Sequence, residues 1–303
     1  MQTTSRLLMI RPVNFTFNAE TAVNNAFQST HDLNAQEIAL KEFNTFVELL
    51  QQKGIDVLVI DDTQNPYTPD SIFPNNWISF HDDGTIVLYP MYAENRRKER
   101  KPHVLQHVEH QFRISRTVDL SGYEKENVFL EGTGSMVLDR FNKLAYACLS
   151  QRTDLNVLND FCRQLDYTPV SFTSLDTTGF PIYHTNVMMC VADRYVIICA
   201  ESIFNKDERN RVLQTITTSK KEIIEISLDQ MNHFAGNMLQ VQSQDGTPFL
   251  IMSTQAFESL HGDQITKIEK YNAILHSSLE TIERNGGGSA RCMMAEVFLP
   301  LRA

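Results

Sequence analysis

The sequence has few cysteines and none in a spacing that would suggest a metal or disulfide site. Five of its 303 residues are cysteines, an odd number, and none forms a Cys-x-x-Cys pair. These counts argue against a disulfide framework and against a zinc site. The opening residues, MQTTSRLLMIRP, have no long apolar run after a basic region. We therefore expect a cytoplasmic protein with neither a signal peptide nor a membrane helix.

Positive charge is also scarce. The chain has 27 basic and 37 acidic residues, which gives a formal net charge of −10. Binding to nucleic acid requires a clustered Lys and Arg surface, so a nucleic-acid partner is not expected. The one dense basic run, NRRKERKPH at 95–103, is short and is interpreted as a solvated face or loop. The sequence does not set the oligomeric state, and a homo-oligomer stays open.

Apolar residues, in contrast, are plentiful and spread over the whole length. Hydrophobic residues make up 42% of the chain and charged residues 21%, which is enough to bury a large core. No Pro, Ser or Gly-rich linker divides the chain, so a single domain over residues 1–303 is predicted.

Apolar runs of strand length alternate with stretches of helical period. The stretches with helical period are 35–53, 154–165, 205–217 and 263–283. Three pairs of apolar runs have a tight polar turn between them, at 135–150, 186–202 and 237–254. The pattern predicts an α/β protein built from repeated units of a β-hairpin and a helix.

Cys292 differs from the other cysteines because NGGGSAR, a glycine-rich stretch, precedes it. The apolar surroundings of the others are typical of small buried hydrophobes; these are Cys148, Cys162, Cys190 and Cys199. Glycines 286–288 would allow a sharp loop that presents the Cys292 thiol at the end of a strand. A cysteine nucleophile also needs a nearby base or positive charge. The alternative is a turn leading to a buried cysteine.

Three further segments carry polar residues suited to chemistry. His184 and Asn186 stand two residues apart in FPIYHTNVMM, where a loop enters a strand, and would point to one face. Glu131 ends an apolar strand in NVFLEGTGS. Asn75 and Asn76 precede the only tryptophan, and such amides can bind a neutral amide or urea. The alternatives are a structural histidine, a turn, and an Asx turn.

In this order the four segments resemble those of the guanidine-modifying superfamily, which contains arginine deiminases, dimethylarginine dimethylaminohydrolases and amidinotransferases. PDSIFPNN, EGTGS, HTN and GGGSARC resemble its acidic, EGGD, histidine and cysteine-loop segments. ACLSQRTD (147–154) and ENRRKE (94–99) are similar to two further segments of the dimethylaminohydrolases. The resemblance spans nearly the whole chain. It implies a pseudo-fivefold α/β propeller of ββαβ-like modules, the pentein fold, around a central substrate channel.

The resemblance also implies roles for particular residues. Cys292 would attack the central carbon of a guanidino or ureido group, His184 would protonate the leaving nitrogen and then activate water, and Glu131 would orient His184. The two ends of a small amino-acid substrate would be held by Asp70, Arg152, and Arg96 or Arg97. This chemistry implies neither a metal ion nor an organic cofactor.

Departures from the superfamily pattern concern the substrate. Asn75, Asn76 and Asn186 stand where guanidine hydrolases carry acidic residues, and Ser135 replaces the acid of EGGD. A buried guanidinium without carboxylates costs several kcal/mol, whereas a ureido group is uncharged.

The sequence therefore predicts hydrolysis of citrulline to ornithine, ammonia and carbon dioxide, which resembles the citrulline-utilisation branch of the superfamily. The alternatives are an arginine or methylarginine hydrolase, an amidinotransferase, and a non-catalytic amino-acid-binding protein.

Overall fold

The computed structural model of the chain describes residues 1–28 and 34–302. Within these ranges the strands are β1 (Arg6–Arg11), β2 (Asp56–Asp61), β3 (Ile78–Phe80), β4 (Thr85–Leu88), β5 (Arg116–Asp119), β6 (Val137–Asp139), β7 (Leu144–Cys148), β8 (Thr168–Phe172), β9 (Met189–Val191), β10 (Tyr195–Ile198), β11 (Glu222–Glu225), β12 (Leu239–Gln242), β13 (Pro248–Ser253), β14 (Ala273–Ser277) and β15 (Ala295–Glu296).

The helices within the same ranges are α1 (Ala19–Ala22), α2 (Ala35–Gln52), α3 (Glu94–Arg97), α4 (Pro102–Gln111), α5 (Gly132–Ser135), α6 (Leu155–Leu165), α7 (Thr185–Met188), α8 (Lys206–Thr218), α9 (Leu228–Asn232), α10 (Thr254–Ser259), α11 (Gly262–Glu269) and α12 (Glu280–Gly286). Short 3-10 helices cover Pro74–Asn76, Ser121–Glu126 and Ala200–Ser202. No helix in the described part of the chain is long and apolar enough to cross a membrane.

The described strands form five sheets of three strands, and all five sheets share one arrangement. The middle strand pairs antiparallel with the first strand and parallel with the third, which it reaches through one or two helices. The orders are β3-β4-β5, β6-β7-β8, β9-β10-β11, β12-β13-β14 and β15-β1-β2. In the last sheet Leu7 lies opposite Glu296, so strands from opposite ends of the sequence complete one unit.

Burial explains why the middle strands are continuously apolar. All four residues of β10 are buried, as expected for a strand that is covered on both faces. The crossover helices bury one stripe, and in α2 this stripe includes Ala39, Phe43 and Phe46. Asp154 caps the start of helix α6, because its side chain accepts hydrogen bonds from the first-turn backbone amides.

Most of the predicted elements are confirmed. The three predicted hairpins are the antiparallel pairs β6/β7, β9/β10 and β12/β13. The helices predicted at 35–53, 154–165 and 205–217 correspond to α2, α6 and α8. The α/β class and the repeated hairpin-and-helix unit are therefore correct. The described strands form separate sheets with no closed barrel among them.

The prediction of one helix over 263–283 is wrong. This stretch contains α11, then strand β14, then α12. Strand β14 pairs in parallel with β13, and Leu275, opposite Ile251, is buried. Pairing with a distant strand overrides the local helical period, which a short apolar run cannot distinguish from a strand.

The side chain of Gln2 generates a stability prediction. Its Nε2 donates to the carbonyl oxygens of Leu138 (3.0 Å) and Val191 (3.1 Å), and its Oε1 accepts from the amide of Arg140 (2.8 Å). Gln2→Leu would leave these buried backbone groups unpaired, so we expect a loss of about 2–4 kcal/mol in the free energy of unfolding. Urea denaturation measures this loss. The control, Gln51→Leu on the exposed face of α2, should change it by less than about 0.5 kcal/mol. Equal stability of both variants would contradict the bracing role of Gln2.

Candidate active site

The candidate site is assembled from the short segments that precede the first strand of each sheet. The 3-10 helix Pro74–Asn76 precedes β3, helix α5 precedes β6, and helix α7 precedes β9. Asn237 precedes β12, and the turn that carries Cys292 precedes β15. Each of the five sheets thus contributes one polar segment.

Contacts between these segments bring them together. Thr133 Oγ1 of α5 donates to the carbonyl oxygen of Asn75 at 3.3 Å. Asn237 Nδ2 donates to the carbonyl oxygen of Asn186 at 3.0 Å. Both Asn186 and Asn237 reach the sulfur of Cys292.

The thiol of Cys292 is buried and contacts two amide side chains. Its Sγ lies 3.5 Å from Asn186 Nδ2 and 3.3 Å from Asn237 Nδ2. The preceding loop is fixed as well, because Tyr183 Oη donates to the carbonyl oxygen of Gly287 at 2.6 Å. The other four cysteines are buried as predicted.

The three glycines before Cys292 are required by close packing against protein side chains. Gly287 ends α12 in the left-handed conformation, with φ of +64°. A Cβ atom on Gly286 would lie 2.7 Å from the ring of Phe73, and one on Gly288 would lie 3.0 Å from it. The loop therefore lies against Phe73, which comes from the PDSIFPNN segment.

His184 and Glu131 form a buried pair. His184 Nε2 lies 2.7 Å from Glu131 Oε2. A carboxylate only accepts, so Nε2 carries the proton and Nδ1 is left as an acceptor in the neutral ring. Burial lowers the pKa of His184 to about 4, against the opposing effect of the hydrogen bond to Glu131. At neutral pH the imidazole is therefore uncharged and can take up a proton at Nδ1.

Glu131 is held as a carboxylate by several donors. Its Oε1 accepts from the amide of Tyr92 at 2.9 Å, and Arg152 Nη1 lies 3.5 Å from Oε2. Burial raises the pKa of Glu131, but the Arg152 charge and the His184 hydrogen bond outweigh it and leave the pKa well below its usual range. Ser135 Oγ accepts from the Glu131 amide and donates to the Arg152 carbonyl oxygen. Ser135, which stands where the EGGD segment has its acid, thus holds the backbone of Glu131 next to that of Arg152.

The backbone of the HTN segment differs from the prediction. Residues 185–188 form α7, and β9 begins only at Met189. The alternation of faces in a strand therefore does not apply to His184 and Asn186. The two side chains nevertheless have adjacent contacts, since His184 contacts Glu131 and Asn186 contacts Cys292.

Several amide atoms in the site are buried without a partner. Within the described part of the chain, no hydrogen bond is made by Asn75 Oδ1, Asn75 Nδ2, Asn76 Nδ2 or Asn186 Oδ1. Buried polar atoms in proteins are nearly always paired. Asn186 contacts Cys292, and Asn76 Nδ2 and His184 Nδ1 both border Gly134, so the unpaired atoms of these two amides point to a polar ligand.

The interpretation of residues 95–103 as a solvated face is wrong, because Arg96, Glu99 and Lys101 are buried. The guanidinium of Arg96 contacts Glu99 through Nε (2.8 Å) and Nη2 (3.0 Å), and Lys101 pairs with Asp62. Opposite charges make this burial tolerable. Arg96 Nη1 also donates to Asn76 Oδ1 at 2.8 Å, which connects the run to the site.

The other residues predicted to hold substrate lie around this centre. Arg152 lies between the rings of Tyr92 and Tyr183, at 5.8 and 5.1 Å from their centroids, and donates to the Thr21 carbonyl oxygen at 2.8 Å. Arg97 is partly exposed and donates to the carbonyl oxygen of Met91 at 3.0 Å.

Asp70 is buried. Its Oδ2 accepts from Asn18 Nδ2 at 2.7 Å, while its Oδ1 has no partner among the described residues. Burial raises the pKa of Asp70, and the charge of Arg96 opposes this effect. Asp70 Oδ1 is thus an acceptor that is available to a ligand.

A cleft of about 780 Å³ adjoins the site. Its walls include Asn25, Arg152, Phe180 and Tyr183. Arg152 contacts Glu131, and Tyr183 contacts the loop before Cys292. The cleft therefore borders both the His184–Glu131 pair and the cysteine loop. This volume suits a small organic ligand. In the described part of the chain, no cluster of His, Cys, Asp and Glu could hold a metal ion.

Asn237 is a contact of Cys292 that the sequence motifs do not mark. Its signal is its position, because Asn76, Asn186 and Asn237 each stand two or three residues before the first strand of a sheet. This regularity becomes visible only when the strand boundaries are known.

Comparisons with known proteins agree with this architecture. A family model of eukaryotic N,N dimethylarginine dimethylhydrolases matches residues 11–299. Apo ArgZ, an arginine dihydrolase from cyanobacteria, is similar with a TM-score of 0.75 at 19% identity over 98% of this chain and 41% of ArgZ. The chain thus spans about two fifths of ArgZ. The comparison with curated proteins gives no match.

Two further structures bear ligands. The N-terminal domain of ArgZ, as a cysteine-to-serine variant bound to substrate, matches with a TM-score of 0.76 at 19% identity, covering 97% of this chain and 98% of that one. A dimethylarginine dimethylaminohydrolase adduct with S-methyl-L-thiocitrulline matches with a TM-score of 0.66 at 13% identity, covering 97% and 99%. At these identities the likeness shows the fold.

Gly134 generates a prediction for activity. A Cβ atom there would lie 2.8 Å from His184 Nδ1 and still closer to Asn76 Nδ2. Gly134→Ala should displace both groups and lower kcat/KM at least about 100-fold, which steady-state kinetics would measure. The control is Gly262→Ala, where a Cβ atom would meet no described atom within 4 Å. Unchanged kinetics for Gly134→Ala would contradict this placement of His184 and Asn76.

Glu283 generates a prediction for pH dependence. It is buried, accepts from Ser289 Oγ at 2.5 Å, and burial raises its pKa to about 7. A raised folded-state pKa means that stability is full below the unfolded value and is lost as pH rises through about 7. Glu283→Gln should therefore gain up to about 3 kcal/mol over the parent between about pH 4.5 and 7.5. Urea denaturation across this range measures the gain. Exposed Glu280→Gln should show none, and parallel stability curves for Glu283→Gln and the parent would exclude the effect.

Proposed function

The chain belongs to the family of N,N dimethylarginine dimethylhydrolases, hydrolases of carbon–nitrogen bonds, and on this premise we propose that it hydrolyses the ureido group of citrulline with Cys292 as the nucleophile. His184 is the acid and base of the reaction, and Glu131 orients it. We further propose that the five sheets surround the site as the blades of a pseudo-fivefold propeller, with one polar segment from each sheet at the centre.

The orientation of the Asn76 amide carries the choice of a ureido substrate. Arg96 Nη1 lies 2.8 Å from Asn76 Oδ1, and a guanidinium can only donate. The Asn76 oxygen must therefore face Arg96, and its NH₂ group must face the space beside Gly134 and His184. A donor at this place suits the carbonyl oxygen of a ureido group. A guanidinium offers only N–H groups there.

The charges around the site support the same choice. Both oxygens of Glu131 already have donors, from Tyr92, His184 and Arg152. A cationic substrate would therefore be buried without a free carboxylate at its reacting end, at a cost of several kcal/mol. Asn75, Asn76 and Asn186 supply neutral amide atoms without partners.

The first step forms a thiocarbamoyl enzyme. The Cys292 thiol gives its proton to Nδ1 of the neutral His184, and the resulting thiolate attacks the ureido carbon while the Asn76 amide donates to the oxygen on which negative charge develops. His184 then holds the proton that the leaving nitrogen needs. The carbon–nitrogen bond to the leaving amine or ammonia breaks, and His184 supplies the proton that this nitrogen takes up.

The second step hydrolyses the adduct. His184 Nδ1 removes a proton from water, which attacks the thiocarbamoyl carbon; the carbon–sulfur bond breaks, and the proton passes from His184 to the sulfur to restore the Cys292 thiol. The resulting carbamate decomposes to an amine and carbon dioxide. In sum, citrulline and one water molecule give ornithine, ammonia and carbon dioxide.

The amino-acid end of the substrate is assigned to the charged groups near the cleft. Asp70 Oδ1, which has no partner among the described residues, would accept from the substrate ammonium group. Arg152, together with Arg96 or Arg97, would face the carboxylate, for which the planar fork of arginine is suited.

Hydrolysis of arginine or a methylated arginine is the second candidate, favoured by the family match and by the similarity to ArgZ, an arginine dihydrolase.

Turnover of citrulline, arginine, agmatine and methylarginines, followed by product amine, distinguishes the two. We expect ornithine from citrulline, and none with Cys292→Ala. Ornithine from arginine or dimethylarginine but not from citrulline would refute the proposal. Dependence on an added amine acceptor would indicate an amidinotransferase, and binding without any turnover would indicate an amino-acid-binding protein.

Asn76→Asp tests the ureido assignment. A carboxylate at this position still accepts from Arg96 but lacks the N–H donor for the substrate carbonyl. Citrulline turnover should fall at least about 100-fold, as for loss of an oxyanion donor. The kcat/KM for citrulline and for arginine is the measurement, with Asn210→Asp on the exposed side of α8 as a control of equal charge. Undiminished citrulline turnover by Asn76→Asp would contradict the role of this amide.

A further inference from the structure

The sulfur of Cys292 has no described hydrogen bond from a charged side chain. Its described partners are the amides of Asn186 and Asn237. His184, whose pKa is lowered to about 4 by burial, is neutral and donates its Nε2 proton to Glu131. The nucleophile therefore lacks the imidazolium that activates many cysteines.

The amide of Asn237 has a fixed orientation. Its Oδ1 accepts from the backbone amide of Arg291 at 3.1 Å, and a backbone N–H can only donate. Its Nδ2 therefore lies on the other side, where it donates to the Asn186 carbonyl oxygen at 3.0 Å and faces Sγ at 3.3 Å. The side chain is fully buried, so neither contact competes with water.

Asn237 can contact both protonation states of the sulfur. In the thiol, S–H can donate to Asn237 Oδ1, which lies 3.7 Å away. In the thiolate, Nδ2–H at 3.3 Å is the matching donor. A hydrogen bond to a charged acceptor is stronger than one to a neutral acceptor, so this contact favours the thiolate.

A neutral substrate makes this contact necessary. A guanidinium brings its own positive charge to the sulfur, whereas a ureido group brings none. We propose that Asn237 is a catalytic residue that stabilises the Cys292 thiolate through Nδ2, with Asn186 as a second donor. The connection to a neutral substrate rests on the proposed citrulline hydrolysis, but the contact with the sulfur does not.

The test is the pH dependence of alkylation of Cys292 by iodoacetamide, followed on the Cys292 peptide by mass spectrometry without substrate. Asn237→Asp keeps the acceptor for the Arg291 amide and loses the donor to sulfur. We expect alkylation at about pH 7 to slow about tenfold or more, as for loss of a hydrogen bond to a charged group. At about pH 10.5, where thiols are ionised, the rate should return to within about twofold of the parent.

Two controls separate this role from a structural one. Asn210→Asp adds the same charge at an exposed position of α8 and should leave both rates unchanged. Asn237→Leu removes the donor without adding charge and should show the same loss at about pH 7 and the same recovery. Slowing of both Asn237 variants by the same factor at both pH values, or no slowing at about pH 7, would overturn the proposal. If the alkylation result holds and the parent hydrolyses arginine but not citrulline, the role of Asn237 stands and the neutral substrate fails.

Discussion

The buried carboxylate of Glu131 is the interaction on which the arrangement of the site depends. It accepts from the Tyr92 backbone, from His184 and from Arg152, so groups from different parts of the chain converge on two oxygen atoms. The hydrogen bond to His184 decides which ring nitrogen carries the proton, and therefore which one can act as a base. The contact with Arg152 places that guanidinium between two tyrosine rings at the border of the cleft. The charges of Glu131 and Arg152 therefore lie on the side of His184 that faces away from its Nδ1 atom.

Neutral amides lie beside the two groups proposed to react, with Asn186 and Asn237 at the sulfur of Cys292 and Asn76 near His184. Arg96 and Glu99 form a buried ion pair, and Arg96 meets the site through Asn76 Oδ1 and through Asp70, whose Oδ2 lies 3.9 Å from Arg96 Nε. The charged side chain of Arg96 thus orients the uncharged amide of Asn76 and fixes the position of its buried N–H donor. Asn237 is oriented in a similar way, although by an uncharged group. Its Oδ1 accepts from the backbone amide of Arg291, so its Nδ2 faces the sulfur of Cys292. Polarity without net charge is the common property of these groups.

The sequence predicts the parts of this site that lie in short contiguous motifs. Cys292, His184 and Glu131 stand out because glycines or strand ends flank them, and the structure brings His184 and Glu131 into contact. Burial of Arg96 and Glu99 could not be predicted, since it depends on packing with residues distant in sequence and local charge density indicates exposure. For a related reason, the sequence does not reveal strand β14 or the contact of Asn237. The apolar run of β14 becomes a strand because it pairs with β13. The contact of Asn237 with the sulfur depends on its position just before β12, which is known only once the strand boundaries are known.

The pairing of β15 with β1 has a consequence for the order of events during synthesis. The turn that carries Cys292 leads directly into β15, and its partner strand lies near the other end of the sequence. A growing chain can fold the units that carry the histidine, the glutamate and most of the amides before the thiol has left the ribosome. Closing β15 onto β1 is a contact of very high sequence separation, of the kind that forms late. The sulfur of Cys292, the proposed nucleophile, can therefore join polar segments whose units have already folded, and a growing chain that has not yet reached residue 292 lacks this thiol.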